Sequence, residues 1–285
     1  MEKKNYLNGV IDTHVHSAPD IRARKMNDLE LMKAAVEHHV RGMVIKSHAM
    51  PTAGRAAIIN AVRQEGYPDS DFAMFGGVTL NHYVGGINPR AVEAALKIGG
   101  KIVWLPTFDS EHTLGQQGKS GGVPVVQDGK IAEAMGPVLT LIKEYDAVLA
   151  TGHIAPEEIF VVAEAARGRG IGRILVNHPE SRLVGLTLEQ MKRLAGDYGV
   201  YLEHCYMQPM GDGTYKSNAR ITLQSVREIG AEHIIIATDA GQVQNPFWYE
   251  ELEDSIATLE ENGVSQEQLD RMTRQNPGKL LGLTV

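Results

Sequence analysis

Eight short apolar runs alternate with eight segments of helical periodicity, and this alternation constrains the fold of the 285-residue chain more than any other feature. The strand-like runs are 10–16, 42–48, 72–80, 101–106, 147–152, 173–178, 199–205 and 233–238. The helical segments are 27–40, 54–65, 89–98, 131–145, 156–168, 187–196, 217–229 and 246–262. A helix between two strands returns the chain to its starting edge, so such strands pair in parallel. Eight units within about 250 residues match a closed (β/α)8 TIM barrel. The competing α/β arrangement is an open doubly wound sheet, which ordinarily holds its ligand over a Gly-rich first turn. Here the first strand runs instead into His16-Ser17-Ala18-Pro19. The expected fold is therefore a TIM barrel forming a single domain over 1–285, and a hydrophobic content of 43% supplies its core.

Local signals agree with the count. Asn27-Asp28 can cap the first helix, and Asn88-Pro89 places proline in the first turn of the third. Ala155-Pro156-Glu157-Glu158 does the same for the fifth, with acids at the positive end of the helix dipole. A closing helix from Ser265 to Leu283 is broken at Asn276-Pro277-Gly278, where a fresh short helix is expected to start. The connection 108–130 is unusually long, and its Asp128-Gly129 dipeptide marks a hairpin. It follows the fourth strand, so it is expected over the C-terminal mouth of the barrel as a lid or subunit contact.

The first strand ends Asp12-Thr13-His14-Val15-His16, and strand alternation puts His14 and His16 on one face. Other ligand-type residues stand where apolar runs stop: His48, His153, His178 and Asp239. Taken singly, such a histidine usually satisfies a turn, and Asp239 alone reads as a helix N-cap. In a barrel, however, the C-terminal strand ends converge on one mouth. Together, His14, His16, His153, His178 and Asp239 predict a divalent-metal site with room for water. Imidazole and carboxylate donors suit zinc first, with manganese, iron or nickel as alternatives.

These residues resemble the amidohydrolase superfamily: His-x-His on strand one, His after strands five and six, Asp after strand eight. Asn276-Pro277-Gly278-Lys279-Leu280-Leu281-Gly282, together with the lack of room for an added β-sandwich domain, is similar to its compact single-domain branch. The resemblance implies one or two metals per chain, metal-activated water, and Asp239 as proton shuttle. Binuclear members usually bridge their metals with a carboxylated Lys or a Glu at the end of strand four, whereas this strand, Lys101 to Asp109, has its Lys at the opposite end and no Glu. That departure favours a mononuclear site of His14, His16, His153 and Asp239, with His178 orienting water or the substrate carbonyl. Lys46 and His48 share a face of strand two, so a second metal stays open. Lys46 is otherwise a substrate clamp or a partner for a buried carboxylate.

Arg55 near a helix N-terminus could grip a carboxylate or phosphate, or pair with an acid. On strand seven Glu203 and His204 face opposite ways, and His204 is favoured for the site over Glu203. A net charge of −7 argues against nucleic acid and anionic membranes as partners. Cys205 is the only cysteine, and no signal-peptide-like or membrane-length apolar run is present, so a cytoplasmic protein is expected. A homo-oligomer is open. The leading functional expectation is a metal-dependent hydrolase of a small amide, ester, lactone or cyclic amide. A metal-dependent decarboxylase on the same scaffold is the alternative, and a non-catalytic metal-binding protein the third.

Overall fold

The computed structural model describes residues 4–210 and 214–283. Its principal strands are β1 (Ile11–His16), β2 (Gly42–Lys46), β3 (Ala73–Phe75 and Gly77–Thr79), β4 (Ile102–Trp104), β5 (Val148–Ala150), β6 (Ile174–Asn177), β7 (Tyr201–Cys205) and β8 (Ile234–Ala237). Each is followed by a helix: α1 (Asp28–Glu37), α2 (Ala53–Gly66), α3 (Pro89–Lys97), α4 (Met135–Glu144), α5 (Pro156–Gly168), α6 (Leu188–Tyr198), α7 (Ala219–Ile229) and α8 (Trp248–Glu261). Every sequential strand pair is parallel. Past the end of β8, Asp239 N–H donates to the His14 carbonyl (2.9 Å) and His16 N–H to the Ala240 carbonyl (2.8 Å), joining β8 to β1. The ring is thus closed, as the TIM-barrel expectation requires.

The two parts of β3 explain how eight strands become two sheets without losing closure. Its first half pairs with β2 and its second with β4. At the break, Thr52 stands in for a strand neighbour: its N–H donates to the Gly77 carbonyl and its Oγ1 accepts from Gly77 N–H, both at 2.9 Å. Glycine is required here, because a Cβ on Gly77 would lie 1.8 Å from the Ile102 carbonyl oxygen.

Inside the barrel, Ile11, Val44, Trp104, Val148, Leu175 and Ile235 pack together, with Leu280 and Leu281 of the closing helix against them. Asn276 ties that helix to the start of β8, donating to the Ala231 and Ile234 carbonyls at 2.7 Å each. The lower barrel is therefore a packed core, which leaves the upper ends of the strands for chemistry. The outer faces of the strands pack against the helices, as with Met43, Ile45 and Ile236 in one cluster and Val103, Leu149 and Val176 in another.

The caps form as the sequence predicts: Asn27 accepts from Glu30 N–H, and Asn88 accepts from Arg90 and Ala91 N–H. Pro156 opens α5, where Glu158 accepts from Ala155 N–H at 2.7 Å. The closing segment differs in detail. A π-helical turn at Arg271–Gln275 follows the helix Gln266–Asp270, and the backbone stays helical through Asn276. The irregularity thus falls one turn earlier than expected. The wider turn accommodates Pro277, which lacks an N–H and crowds the carbonyl four residues before it.

Within 108–130 lies a short helix, Glu111–Gln116, capped by Ser110. The hairpin forms at Asp128-Gly129, both left-handed, between Val126–Gln127 and Lys130–Ile131. Phe108 and Gln117 reach the cavity at the barrel mouth, while the hairpin strands pack against α5.

Candidate active site

The site begins with a bulge in β1. Ile11 and Asp12 pair with Gly42 and Met43, but Val15 and His16 pair with Ile45 and Lys46, so Thr13 and His14 together face Val44. The extra residue lets Thr13, His14 and His16 all turn inward while Val10 and Val15 stay in the outer core. Asp12 braces the bulge, accepting from His14 N–H (3.1 Å) and Thr238 Oγ1 (2.7 Å). Burial pushes its carboxyl up to about 7.

His14 and His16 are then fixed from behind. Nδ1 of His14 lies 2.9 Å from Glu203 Oε2, and Nδ1 of His16 lies 2.9 Å from the Lys46 carbonyl. The Glu203 carboxylate only accepts, so Nδ1 of His14 carries a proton and its Nε2 lone pair faces inward. Nδ1 of His16 sits between the Lys46 carbonyl and Arg24 Nη2, the latter at 3.2 Å, which fixes the ring with its Nε2 toward the site. Each Nε2 is 3.1 Å from the same atom, Asp239 Oδ1. Two imidazole nitrogens and a carboxylate oxygen converging at one point are a donor set suited to a cation. The residues therefore fit a divalent metal.

Glu203 is wholly buried and accepts from Thr13 Oγ1 (2.5 Å) and Asn177 Nδ2 (2.6 Å) besides His14. Burial alone would push its carboxyl up, but His14 and these donors outweigh that and hold it below the usual range. Asp239 behaves alike: burial opposes its charge, and His14, His16 and His178 hold it well below the ordinary carboxylate value. The other imidazoles are kept neutral by burial, which pushes His16 down to about 3 and His178 to about 4. His48 and His153 also fall well below the ordinary histidine value through burial.

His153 and His178 line the same cavity, their ring centres 5.0 Å apart, and His48 stacks on His16 at 4.9 Å. His178 lies just past β6, and Asp239 two residues past β8; both take left-handed backbones, φ 28° and 56°. Non-glycine residues avoid that region, so both positions hold local strain of about 1–3 kcal/mol each. His178 and His153 each leave a buried Nδ1 without a hydrogen-bond partner among the described residues. His48 is tied to Thr107 Oγ1 at 2.8 Å, and Asn81 donates to the same oxygen at 2.7 Å. Lys46 is fully buried, with Nζ 3.2 Å from His14 Nε2 and 5.7 Å from the Trp104 ring centre. Trp104 occupies the inner end of β4, where the resemblance would place a bridging ligand.

Among the described residues, two sets of three ligand-type side chains converge within 4.8 Å: His14-His16-Asp239 and His14-Glu203-Cys205. The second is the support of His14. Glu203 already accepts from three donors, and burial raises the Cys205 thiol well above its ordinary value, keeping it protonated.

Two expectations are corrected. Strand alternation turns Glu203 rather than His204 inward; His204 faces the other way, its Nδ1 3.1 Å from Glu180 Oε2. Arg55 does not reach the cavity. Its guanidinium forks onto Asp28 at 2.7 and 2.6 Å and also donates to Ser17 and Pro19, so α1, α2 and the loop after β1 consume it. The cavity, about 420 Å³, is lined instead by Arg22, Arg24 and Arg182, with Phe108, Tyr215 and Gln242. The Arg22-x-Arg24-Lys25 run directly behind the first strand was the available signal for part of this set.

Residues 9–203 match a family described only as a family of unknown function (DUF6282). The chain belongs to that family. The match spans β1 through Glu203, and Asp239 lies beyond it. No curated protein matches the chain. Among solved structures it is similar to an amidohydrolase from Pseudomonas aeruginosa, with TM-score 0.69, 12% identity, and coverage of 97% of this chain and 96% of that one. It is also similar to a protein assigned as a 2-pyrone-4,6-dicarboxylic acid hydrolase from Pseudomonas putida, with TM-score 0.63, 14% identity, and coverage of 97% and 98%. A dihydroxybenzoic acid decarboxylase from Polaromonas sp. JS666 with bound manganese gives TM-score 0.57, 13% identity, and coverage of 96% and 97%. At these identities the likeness establishes the fold, the barrel shared by amidohydrolase-type hydrolases and decarboxylases. No helix among the described residues is long and apolar enough to cross a membrane.

Proposed function

We propose that this chain is a metal-dependent hydrolase of a small amide, ester, lactone or cyclic amide. The observation that carries the reading is the approach of His14 Nε2 and His16 Nε2 to one oxygen of Asp239, at the base of a cavity in the barrel mouth. His14, His16 and Asp239 would hold the metal, zinc first by donor type, with His153 completing the set. A divalent ion bound there lowers the pKa of water and polarises a carbonyl. Asp239 would take the proton of the attacking water and return it to the leaving group. His178 is neutral, so its N–H can donate to the oxygen that gains charge. Glu203 keeps His14 in the tautomer that offers Nε2 inward.

A decarboxylase is the second reading, favoured by the cationic cavity lining and by Trp104 where a bridging ligand would stand. A folded chain that binds metal but turns over neither substrate type would support the third reading, a non-catalytic metal-binding protein. The deciding test is metal content per chain by elemental analysis in wild-type, His14→Ala and Lys46→Ala proteins, followed by screening of esters, lactones and aryl carboxylates. One metal per chain, lost with His14 and retained in Lys46→Ala, with hydrolysis and no CO2 release, is the expected result. Two metals, one lost in Lys46→Ala, would move the bridge to β2. Absence of metal under every loading condition would overturn the reading.

A further inference from the structure

We propose that the substrate carries an oxyanion group, a carboxylate or a phosphate, held at the rim of the cavity by Arg22 and Arg182. This rests on reading the barrel mouth as the active site. The inference begins with an imbalance of charge. Among the described residues, the cavity lining contains Arg22, Arg24, Lys46 and Arg182, and a single acid, Asp239. Two of the four cations are already engaged: Lys46 contacts His14 Nε2, and Arg24 forks onto Asp20 at 2.8 Å. Asp239 is engaged by His14 and His16. Among the described residues, Arg22 and Arg182 have no acidic partner.

The two guanidinia come from different loops, those after β1 and β6, and line one cavity. Arg22 is also held in orientation. Its guanidinium carbon lies 4.2 Å from the centre of the Phe108 ring, and that ring packs edge-on against His153 and tilted against His48. The cation–π contact holds the guanidinium against the ring while its N–H groups can still make a forked contact with an oxyanion. A neutral substrate would leave both positive charges uncompensated beside the bound molecule. An anionic one pairs with them, while its reacting carbonyl reaches the histidine-lined base. The rim therefore selects by charge, and the base acts on a separate part of the same molecule.

The test is binding, read by calorimetry, of benzene-1,3-dicarboxylate, phenyl phosphate and the uncharged benzene-1,3-dicarboxamide. It uses the full-length wild-type chain, Arg22→Gln, Arg182→Gln, and Arg90→Gln, an exposed arginine on α3, as control for net charge. A charge-assisted contact at a partly exposed site predicts about a 10-fold weaker anion affinity in each rim variant. Arg90→Gln should match wild type, and the dicarboxamide should bind at least about 10-fold more weakly than the dicarboxylate. Whichever anion binds more tightly identifies the group. Equal affinity for the diamide and the dicarboxylate, unchanged affinity in both rim variants, or no saturable binding of either anion would each overturn the proposal. Because the readout is binding, a chain that takes the anions but hydrolyses nothing defeats the hydrolase reading alone. Undiminished affinity for both anions in both rim variants, in a chain that still hydrolyses, defeats the oxyanion proposal alone.

Discussion

The base and the rim of the cavity are built by opposite means. At the base, polar groups are held by others behind them: Glu203 fixes His14, the Lys46 carbonyl fixes His16, and Thr107 with Asn81 fixes His48. These groups stand at strand ends and are buried, and their positions are set by the barrel itself. At the rim, Arg22 rests on one aromatic ring and Arg182 has no acidic partner among the described residues; both are exposed and carried by loops. Geometry that must be accurate to a fraction of an ångström sits on the rigid scaffold, while recognition is left to segments free to vary. Changes at the base should therefore alter turnover and metal retention, whereas changes at the rim should alter affinity.

The sharpest way to break that division is Asp239→Asn. The amide keeps the shape of the side chain but removes the proton acceptor, so kcat should fall by about 10²–10⁴-fold. Thermal unfolding should stay close to wild type, and the rim should still bind benzene-1,3-dicarboxylate. Near-normal kcat would show that Asp239 is only a structural partner of the two histidines. Loss of anion binding as well would show that base and rim act as one unit.

A smaller effect is expected from Glu203→Gln. Glu203 touches His14 from behind and is a positioning residue. An amide nitrogen turned toward His14 Nδ1 would favour the opposite tautomer and place a proton on Nε2. Metal affinity should fall by about 10–100-fold, as measured by chelator competition. Glu203→Asp, which restores an acceptor at shorter reach, should recover part of it. Equal loss in both variants would assign the effect to packing of the buried seam instead.

Much of the base was legible because strand periodicity translates directly into facing. His14, His16, Lys46 and His48 could be placed on inner faces by counting in twos, and the cavity lined by His16, Lys46 and His48 follows from barrel closure. Counting failed where the backbone departs from regular strand. The bulge that turns Thr13 inward and the left-handed φ that redirects His178 come from long-range contacts with no local sequence mark. Glu203 and His204 were exchanged because each face of Tyr201–Cys205 carries a buried apolar residue, Leu202 on one and Cys205 on the other, and both polar residues are buried as well. For Arg55 the sequence left an anion grip and an acid partner both open, and the structure shows the acid partner. Its partner Asp28 belongs to α1, and sequence spacing says nothing about which helix faces a side chain contacts. The rim arginines stand on irregular loops, where no period exists to count.

The smallest expected effect concerns a second buried glutamate, which shows what the network around Glu203 achieves. Glu251 on α8 is only 1% exposed, and neither carboxylate oxygen has a hydrogen-bond partner among the described residues. Burial pushes its carboxyl from 4.5 up to about 9, with the charges of Asp239 and Asp12 adding to the shift and Lys25 opposing it. The folded chain thus keeps a proton that the unfolded chain releases near 4.5, so the stability it provides is complete below that pH and is lost as pH rises through about 9. Glu251→Gln supplies a permanently neutral side chain of the same shape. It should raise Tm at pH 8 by about 2–4 °C for each kcal/mol recovered, and leave Tm at pH 4 unchanged. An equal gain at both pH values would mean that the amide simply packs better. A loss at pH 8 would mean that Glu251 is charged and partnered in solution, and the contrast with Glu203 would then fall.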